Sequence, residues 1–168
     1  MANGYNRFVR TIVNYQDILD ALIQKTNEGW EYHRGNISSH VLIRECRTVG
    51  FFVGRQCGSS SALVEFATRH QGECLAVFTD DKIQRGIQSK SPGLTLPYLI
   101  TERLRKYIRH PEQYSIQKDF NSDISKRLKY LLVDNASYNL NLRGITDKEF
   151  NQWVADTFGN DILVIRFS

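Results

Sequence analysis

The sequence predicts an α/β fold, with a parallel sheet of four to five strands covered by helices on both faces. Short apolar runs, typical of strands buried on both sides, alternate with segments of helical periodicity. Polar clusters follow these runs, at residues 54–61, 79–81, 134–137 and 168. Since ligands of parallel sheets bind at the carboxyl ends of the strands, any functional site is expected there.

The N-terminal part of the chain predicts a helical extension, residues 1–44, ahead of an α/β core, residues 45–168. Apolar residues recur at helical spacing between Thr11 and Glu28, and Gly29 is expected to end this helix. Residues 30–39 are polar and predict a connection. Residues 41–43 fit either a short strand or the end of a second helix.

Within the core, each predicted strand is a short apolar run, at residues 48–53, 74–78, 128–133 and 161–165. Helices are predicted from apolar periodicity or from a capping box, at residues 60–70, 95–108 and 146–159. The capping box is formed by Thr146 and Glu149. Residues 86–93 are rich in Gly, Ser and Pro and predict a loop, whereas residues 112–125 give no assignment.

Composition limits the class of protein. The chain has 168 residues, 41% of them hydrophobic, which suffices for one domain with a sizeable core. No apolar run approaches the roughly 20 residues of a membrane span, and the N-terminus lacks the apolar core of a signal peptide. Three cysteines without a Cys-x-x-Cys pair favour a reduced protein, so we expect a cytoplasmic protein with no membrane partner.

The segment after the first predicted strand has the frame of a phosphate-binding loop. Its residues are Gly54, Arg55, Gln56, Cys57, Gly58, Ser59, Ser60 and Ser61. A strand, a small polar turn and a helix N-terminus direct backbone N–H groups toward an anion. The loop resembles the Walker A motif of P-loop NTPases, and most closely those of the additional-strand class found in phage large terminases and helicase-like ATPases.

That resemblance implies a role for each loop residue. All eight would contact a nucleotide, with Gly58 as the second glycine of the motif and Ser60 as the hydroxyl that binds Mg²⁺. Ser59 stands where the motif has lysine, the residue that stabilises charge on the β- and γ-phosphates. Arg55, on the other limb of the loop, is the candidate replacement.

A second motif supports the first. The run from Tyr130 to Asp134 resembles a Walker B strand, whose terminal aspartate holds Mg²⁺ opposite the loop serine. Asn135 follows where this class usually has a glutamate that activates water, and an amide cannot accept a proton as a carboxylate does. Arg55, Asp134 and Asn135 are therefore the candidate catalytic positions, and Ser60 and Asp134 the candidate metal ligands.

Three functions remain open from the sequence. The first is a degenerate P-loop protein of phage or mobile-element type, which binds a nucleotide such as ATP, or another polyanion, with little or no hydrolysis. Such a protein would act through a nucleic-acid partner or through a protein partner, either a different protein or further copies of itself in a homo-oligomer. The second is an active Mg²⁺-dependent nucleoside triphosphatase that uses Arg55 in place of lysine. The third is a non-nucleotide scaffold that binds DNA or RNA through a basic helix carrying Arg103, Arg105, Lys106 and Arg109.

Overall fold

A computed structural model describes residues 13–33, 38–53 and 58–168 and shows the predicted α/β class. Five strands form one sheet in which every pairing is parallel, in the order β1-β5-β4-β2-β3. The strands are β1 (Thr48–Phe51), β2 (Cys74–Phe78), β3 (Tyr98–Ile100), β4 (Tyr130–Val133) and β5 (Leu163–Phe167). The predicted number of strands, four to five, is confirmed.

The described part of the chain forms nine helices around this sheet. They are α1 (Tyr15–His33), α2 (Ser39–Cys46), α3 (Ser59–Arg69), α4 (Asp81–Lys90), α5 (Thr101–Arg109), α6 (Ile116–Asp119), α7 (Ser122–Arg127), α8 (Ala136–Leu142) and α9 (Asp147–Phe158). None of these helices is both long and apolar enough to cross a membrane.

Two apolar layers cover the two faces of the sheet, because alternate residues of each strand point to opposite sides. On one face, Leu131 and Val133 of β4 pack with residues of α5 and α9. On the other face, Leu132 packs with Phe66 of α3 and Leu19 of α1. The prediction of helices on both faces is therefore confirmed.

The two N-terminal helices differ in extent from the prediction. α1 continues through Gly29 to His33, because Trp30 on its last turn is buried in a small cluster with Leu42 and Cys46. The ambiguous residues 41–43 belong to α2. α1 contacts β1 and α3, whereas α2 packs on α9, so both helices of the predicted extension lie against the sheet layers.

The prediction of a loop at residues 86–93 was wrong for residues 86–90, which form the end of α4. This helix is started by Asp80, whose carboxylate accepts hydrogen bonds from the N–H groups of Lys82 and Ile83 at 2.9 and 3.0 Å. Ile83 and Ile87 lie one turn apart and pack on the core. This face stabilises the helix despite Gly86.

The predicted helix from Thr95 begins six residues later, at Thr101, because its first part contains a strand. Residues Tyr98–Ile100 pair with β2 and form the edge strand β3. An edge strand of three residues is too short to show a periodicity. Residues 112–125, which gave no assignment, contain α6 and the first four residues of α7, and α8 was not predicted.

Candidate functional site

The helix after β1 begins as the loop frame predicts. Gly58 adopts a left-handed conformation with φ of 93° and is the N-cap of α3. The first-turn N–H groups of a helix have no acceptor within the helix, and glycine has no side chain to cap them. Ser59, Ser60 and Ser61 form this first turn. Four loop residues, Gly54, Arg55, Gln56 and Cys57, lie outside the described residues.

The structure brings together the two residues that the sequence predicts as metal ligands. The hydroxyl of Ser60 donates a hydrogen bond to Oδ1 of Asp134 over 3.1 Å, although 74 residues separate them. Ser60 is on the exposed first turn of α3, whereas Asp134 directly follows β4 and is only 3% exposed. The carboxyl ends of β1 and β4 therefore meet at one site.

Burial raises the pKa of Asp134 above its ordinary value. Loss of water around the carboxylate is the dominant cause, and hydrogen bonds from Ser60 and from the N–H of Asn135 partly oppose it. A nearby cation would stabilise this buried, ionised carboxylate, because the attraction compensates for the lost hydration. Asn135 itself is exposed, with a left-handed φ of 48°, so its N–H, rather than its side chain, contacts Asp134.

Ser60 and Asp134 fit a Mg²⁺ ion in the manner of phosphate-dependent sites. They offer a hydroxyl and a carboxylate, the hard oxygen ligands that Mg²⁺ prefers. Within the described ranges no three His, Cys, Asp or Glu side chains cluster as a metal cage. Mg²⁺ in nucleotide sites commonly uses one or two protein ligands together with phosphate oxygens and water. A two-residue site of this kind needs the phosphates to be complete.

A buried amide holds the backbone around Asp134, and no pattern in the sequence singles it out. Asn139 of α8 is fully buried, and its Nδ2 donates to the carbonyl oxygens of Asp134 and Val77 at 2.9 and 3.4 Å. Its Oδ1 is hydrogen-bonded to the hydroxyl of Thr101, which lies 3.0 Å from the carbonyl oxygen of Phe78. Asn139 therefore ties together the ends of β4 and β2 and the start of α5.

The end of β5 lies beside the same site. The hydroxyl of Ser168 accepts hydrogen bonds from the N–H and the hydroxyl of Ser137 at 3.0 and 2.9 Å. Its backbone continues the pairing with β1, since the carbonyl of Ser168 accepts from the N–H of Val53 at 2.7 Å. The polar clusters predicted at residues 134–137 and 168 thus meet at the carboxyl edge.

The predicted basic helix exists as α5, but its cations differ in their surroundings. Arg103 is hydrogen-bonded to Asp119, and its guanidinium lies 4.8 Å from the ring centre of Tyr114. Arg105 pairs with Glu102 at 2.9 Å. For Lys106 and Arg109, no carboxylate within 4 Å is found among the described residues. Two of the four candidate nucleic-acid contacts are thus already paired within the chain.

Together, fold and site define an α/β protein with a five-stranded parallel sheet, in which a serine at a helix N-terminus meets a buried aspartate at the carboxyl edge. Comparisons with protein-family models, curated proteins and solved structures find no match.

Proposed function

We propose that this protein binds a nucleotide, or a polyanion with similar phosphates, at the N-terminus of α3. The observation that carries the proposal is the hydrogen bond between Ser60 and Asp134 at 3.1 Å. A resemblance of two short motifs predicts that these residues converge, and their separation by 74 residues makes the convergence an independent argument. The resemblance to phage and mobile-element ATPases remains part of this proposal.

The strand order supports the same proposal. In the additional-strand class of P-loop NTPases, one strand separates the loop strand from the Walker B strand. Here β5 lies between β1, which leads into the loop, and β4, which ends at Asp134. Many α/β proteins share a parallel sheet, so the order supports the proposal without carrying it.

The site is better suited to binding than to turnover. Backbone N–H groups of α3 and the hydroxyl of Ser60 would contact phosphates, and Ser60 and Asp134 would hold Mg²⁺, which supplies charge neutralisation when bound. Ser59 offers no charge for the transferred phosphoryl group, and Asn135 offers no base for water. Each missing group removes an electrostatic or proton-transfer contribution to catalysis. We therefore propose binding with little or no hydrolysis, and an action through a protein or nucleic-acid partner.

Restoring the lysine tests the site directly. We expect Ser59→Lys to tighten Mg²⁺–ATP binding by about 10- to 100-fold, because a charged hydrogen bond contributes about 1.5–3 kcal/mol. Isothermal titration calorimetry measures the change. Ser61→Lys is the matched control, since it adds the same charge two residues later on the same exposed turn and should change affinity much less.

Two outcomes would count against the proposal. Equal gains from both lysines would indicate unspecific attraction, and no gain in a folded Ser59→Lys protein would remove the loop assignment. The active alternative is tested by phosphate release with Mg²⁺–ATP. If the wild-type protein turns over and Arg55→Ala abolishes turnover, the protein is an NTPase that uses Arg55.

A further inference from the structure

Two adjoining cavities lie on the face of the sheet that α5 and α9 cover, opposite the face on which α3 packs. The larger has a volume of about 730 Å³ and lies between α9 and the chain from α5 to α6. The smaller, of about 300 Å³, lies at the end of α5. Arg109 and Tyr114 line both cavities, so the two spaces are neighbours that share these side chains as a common wall.

The smaller cavity is basic. Its lining consists of Arg105, Lys106, Arg109, His110, Gln113 and Tyr114, and none of these six is acidic. Arg105, Lys106 and Arg109 are at helical positions i, i+1 and i+4, which places them on one side of α5. Arginine and lysine side chains in this arrangement are typical contacts of phosphate groups.

The larger cavity has a different character. Its wall contains Tyr107, Tyr114 and Trp153, the ring of Trp153 being held edge-on by Phe158 at 5.5 Å between ring centres. Glu149 and Asp156 also line it, and each already accepts hydrogen bonds, from Thr146 and from Gln152. Ser115, Gln117, Lys148, Gln152 and Thr157 add further polar groups to this wall, and the volume lies within the range of about 300–1,000 Å³ that is typical of small-molecule sites.

We propose that these cavities together bind a nucleoside phosphate, with the phosphate at Arg109 and Lys106 and the base in the aromatic cavity. In the larger cavity the carboxylates of Glu149 and Asp156 offset the cations of Lys148 and Arg109, whereas the smaller cavity has cations and no carboxylate in its lining, so a phosphate favours the smaller cavity. The base contacts the rings of Tyr114 and Trp153, and contacts of this kind bind bases of any sequence. The ligand is a free nucleotide or one unit of a single-stranded nucleic acid.

A structural role also accounts for part of this surface. Cations in the last turn of a helix interact favourably with its macrodipole, and α5 ends at Arg109. That role requires neither the aromatic wall nor the larger cavity. Ligand binding and the helix macrodipole are therefore distinguished by an experiment that measures the larger cavity through Trp153 and the cations through Arg109.

The test titrates the full chain, without Mg²⁺, with AMP, with inorganic phosphate and with a single-stranded oligonucleotide, while tryptophan fluorescence is recorded. We expect AMP and the oligonucleotide to quench Trp153, and Arg109→Ala to weaken both at least tenfold. Arg44→Ala is the matched control, because Arg44 is an exposed helical arginine paired with Glu45. Trp153→Phe should remove the fluorescence change, and a filter-binding assay should still detect the bound oligonucleotide.

The outcomes distinguish a free nucleotide from a single-stranded nucleic acid, and binding in these cavities from binding at α3. Tighter binding of the oligonucleotide than of AMP, with a salt slope of about −1.4 to −2.1 for two to three phosphates, assigns a single strand. Equal affinities for AMP and the oligonucleotide identify the ligand as a free nucleotide. Asp134→Asn should leave this binding unchanged, so its result is independent of the site at α3. No quenching by AMP or oligonucleotide, or equal affinity for AMP and inorganic phosphate, would overturn the proposal.

Discussion

Two buried charges lie at opposite edges of the same sheet, and they differ in how completely the protein satisfies them. Arg47 precedes β1 at the amino edge and is 7% exposed, while Asp134 follows β4 at the carboxyl edge and is 3% exposed. Both lose most of their hydration on folding. The hydrogen bonds around each charge distinguish a residue that stabilises the fold from one that forms a candidate site.

Arg47 is surrounded by hydrogen-bond acceptors of the chain itself. Its guanidinium donates to the carbonyl oxygens of Ile162 and Asp161 at 3.2 and 2.6 Å and to Oδ1 of Asn27 at 2.7 Å. It also lies 5.5 Å from the ring centre of Trp30. Burial lowers the pKa of Arg47, but an arginine remains charged. This residue fixes α1 and the start of β5 to β1.

Among the residues that the structure describes, Asp134 has fewer partners than Arg47 for a comparable burial. A hydroxyl at 3.1 Å and one N–H contact its carboxylate, which can accept about four hydrogen bonds. The hydrogen bond from Ser60 places this carboxylate beside the N-terminus of α3. A buried charge with unused capacity beside a helix N-terminus is a candidate site, whereas a fully bonded one stabilises the fold.

The largest expected effect is at the amino edge. Arg47→Met should lower the free energy of unfolding by about 3–5 kcal/mol, because it leaves buried carbonyl groups without donors. Urea denaturation followed by circular dichroism measures the loss. Arg44→Met, three residues earlier on the exposed side of α2, should stay within about 0.5 kcal/mol. A loss below 1 kcal/mol for Arg47→Met would remove its structural role.

A smaller loss of unfolding free energy is expected for Asn139, the neutral buried amide at the carboxyl edge. Asn139→Leu removes the donor to the carbonyl groups of Asp134 and Val77 and should cost about 2–3 kcal/mol. Asn141→Leu, on the exposed side of α8, is the matched control. If both variants unfold at the same urea concentration, the hydrogen bonds of Asn139 do not hold this edge together.

The smallest effect on stability, with the opposite sign, is expected at Asp134. Near neutral pH, Asp134→Asn should be as stable as the wild-type protein or more stable by up to about 1 kcal/mol, because it removes a poorly hydrated charge. It should also abolish the part of nucleotide binding that depends on Mg²⁺. Thermal unfolding and calorimetry with and without Mg²⁺ measure the two effects.

The pH dependence of this difference follows from the raised pKa. The folded protein binds the proton of Asp134 more tightly than the unfolded chain, whose pKa is near the ordinary value of 3.8. The wild-type protein should therefore lose stability relative to Asp134→Asn as pH rises above 3.8, until the folded pKa is passed. A difference that grows on acidification instead would show that Asp134 is stabilised as a carboxylate.

Elements with a strong local signal were predicted well. Continuous apolar runs located β1, β2, β4 and β5 to within a few residues, and the capping box of Thr146 located α9, with both of its hydrogen bonds formed. The short edge strand β3 and the helix α4 lacked such a signal. β3 depends on its pairing with β2, and α4 depends on the packing of Ile83 and Ile87 on the core. Both are contacts between segments that are distant in the chain.

The sequence by itself determined the α/β class, the edge of the sheet where polar residues gather, and the pair Ser60 and Asp134 as its candidates. Apolar periodicity and chain direction suffice for the class and for the edge, since they depend on neighbouring residues, whereas the pair follows from the resemblance of two local motifs to those of P-loop NTPases. Only the tertiary structure decided that β5 lies between β1 and β4, that Asn139 supports the site, and that Arg47 is bonded at the opposite edge. These features arise from contacts between residues far apart in the chain, and no local pattern encodes them.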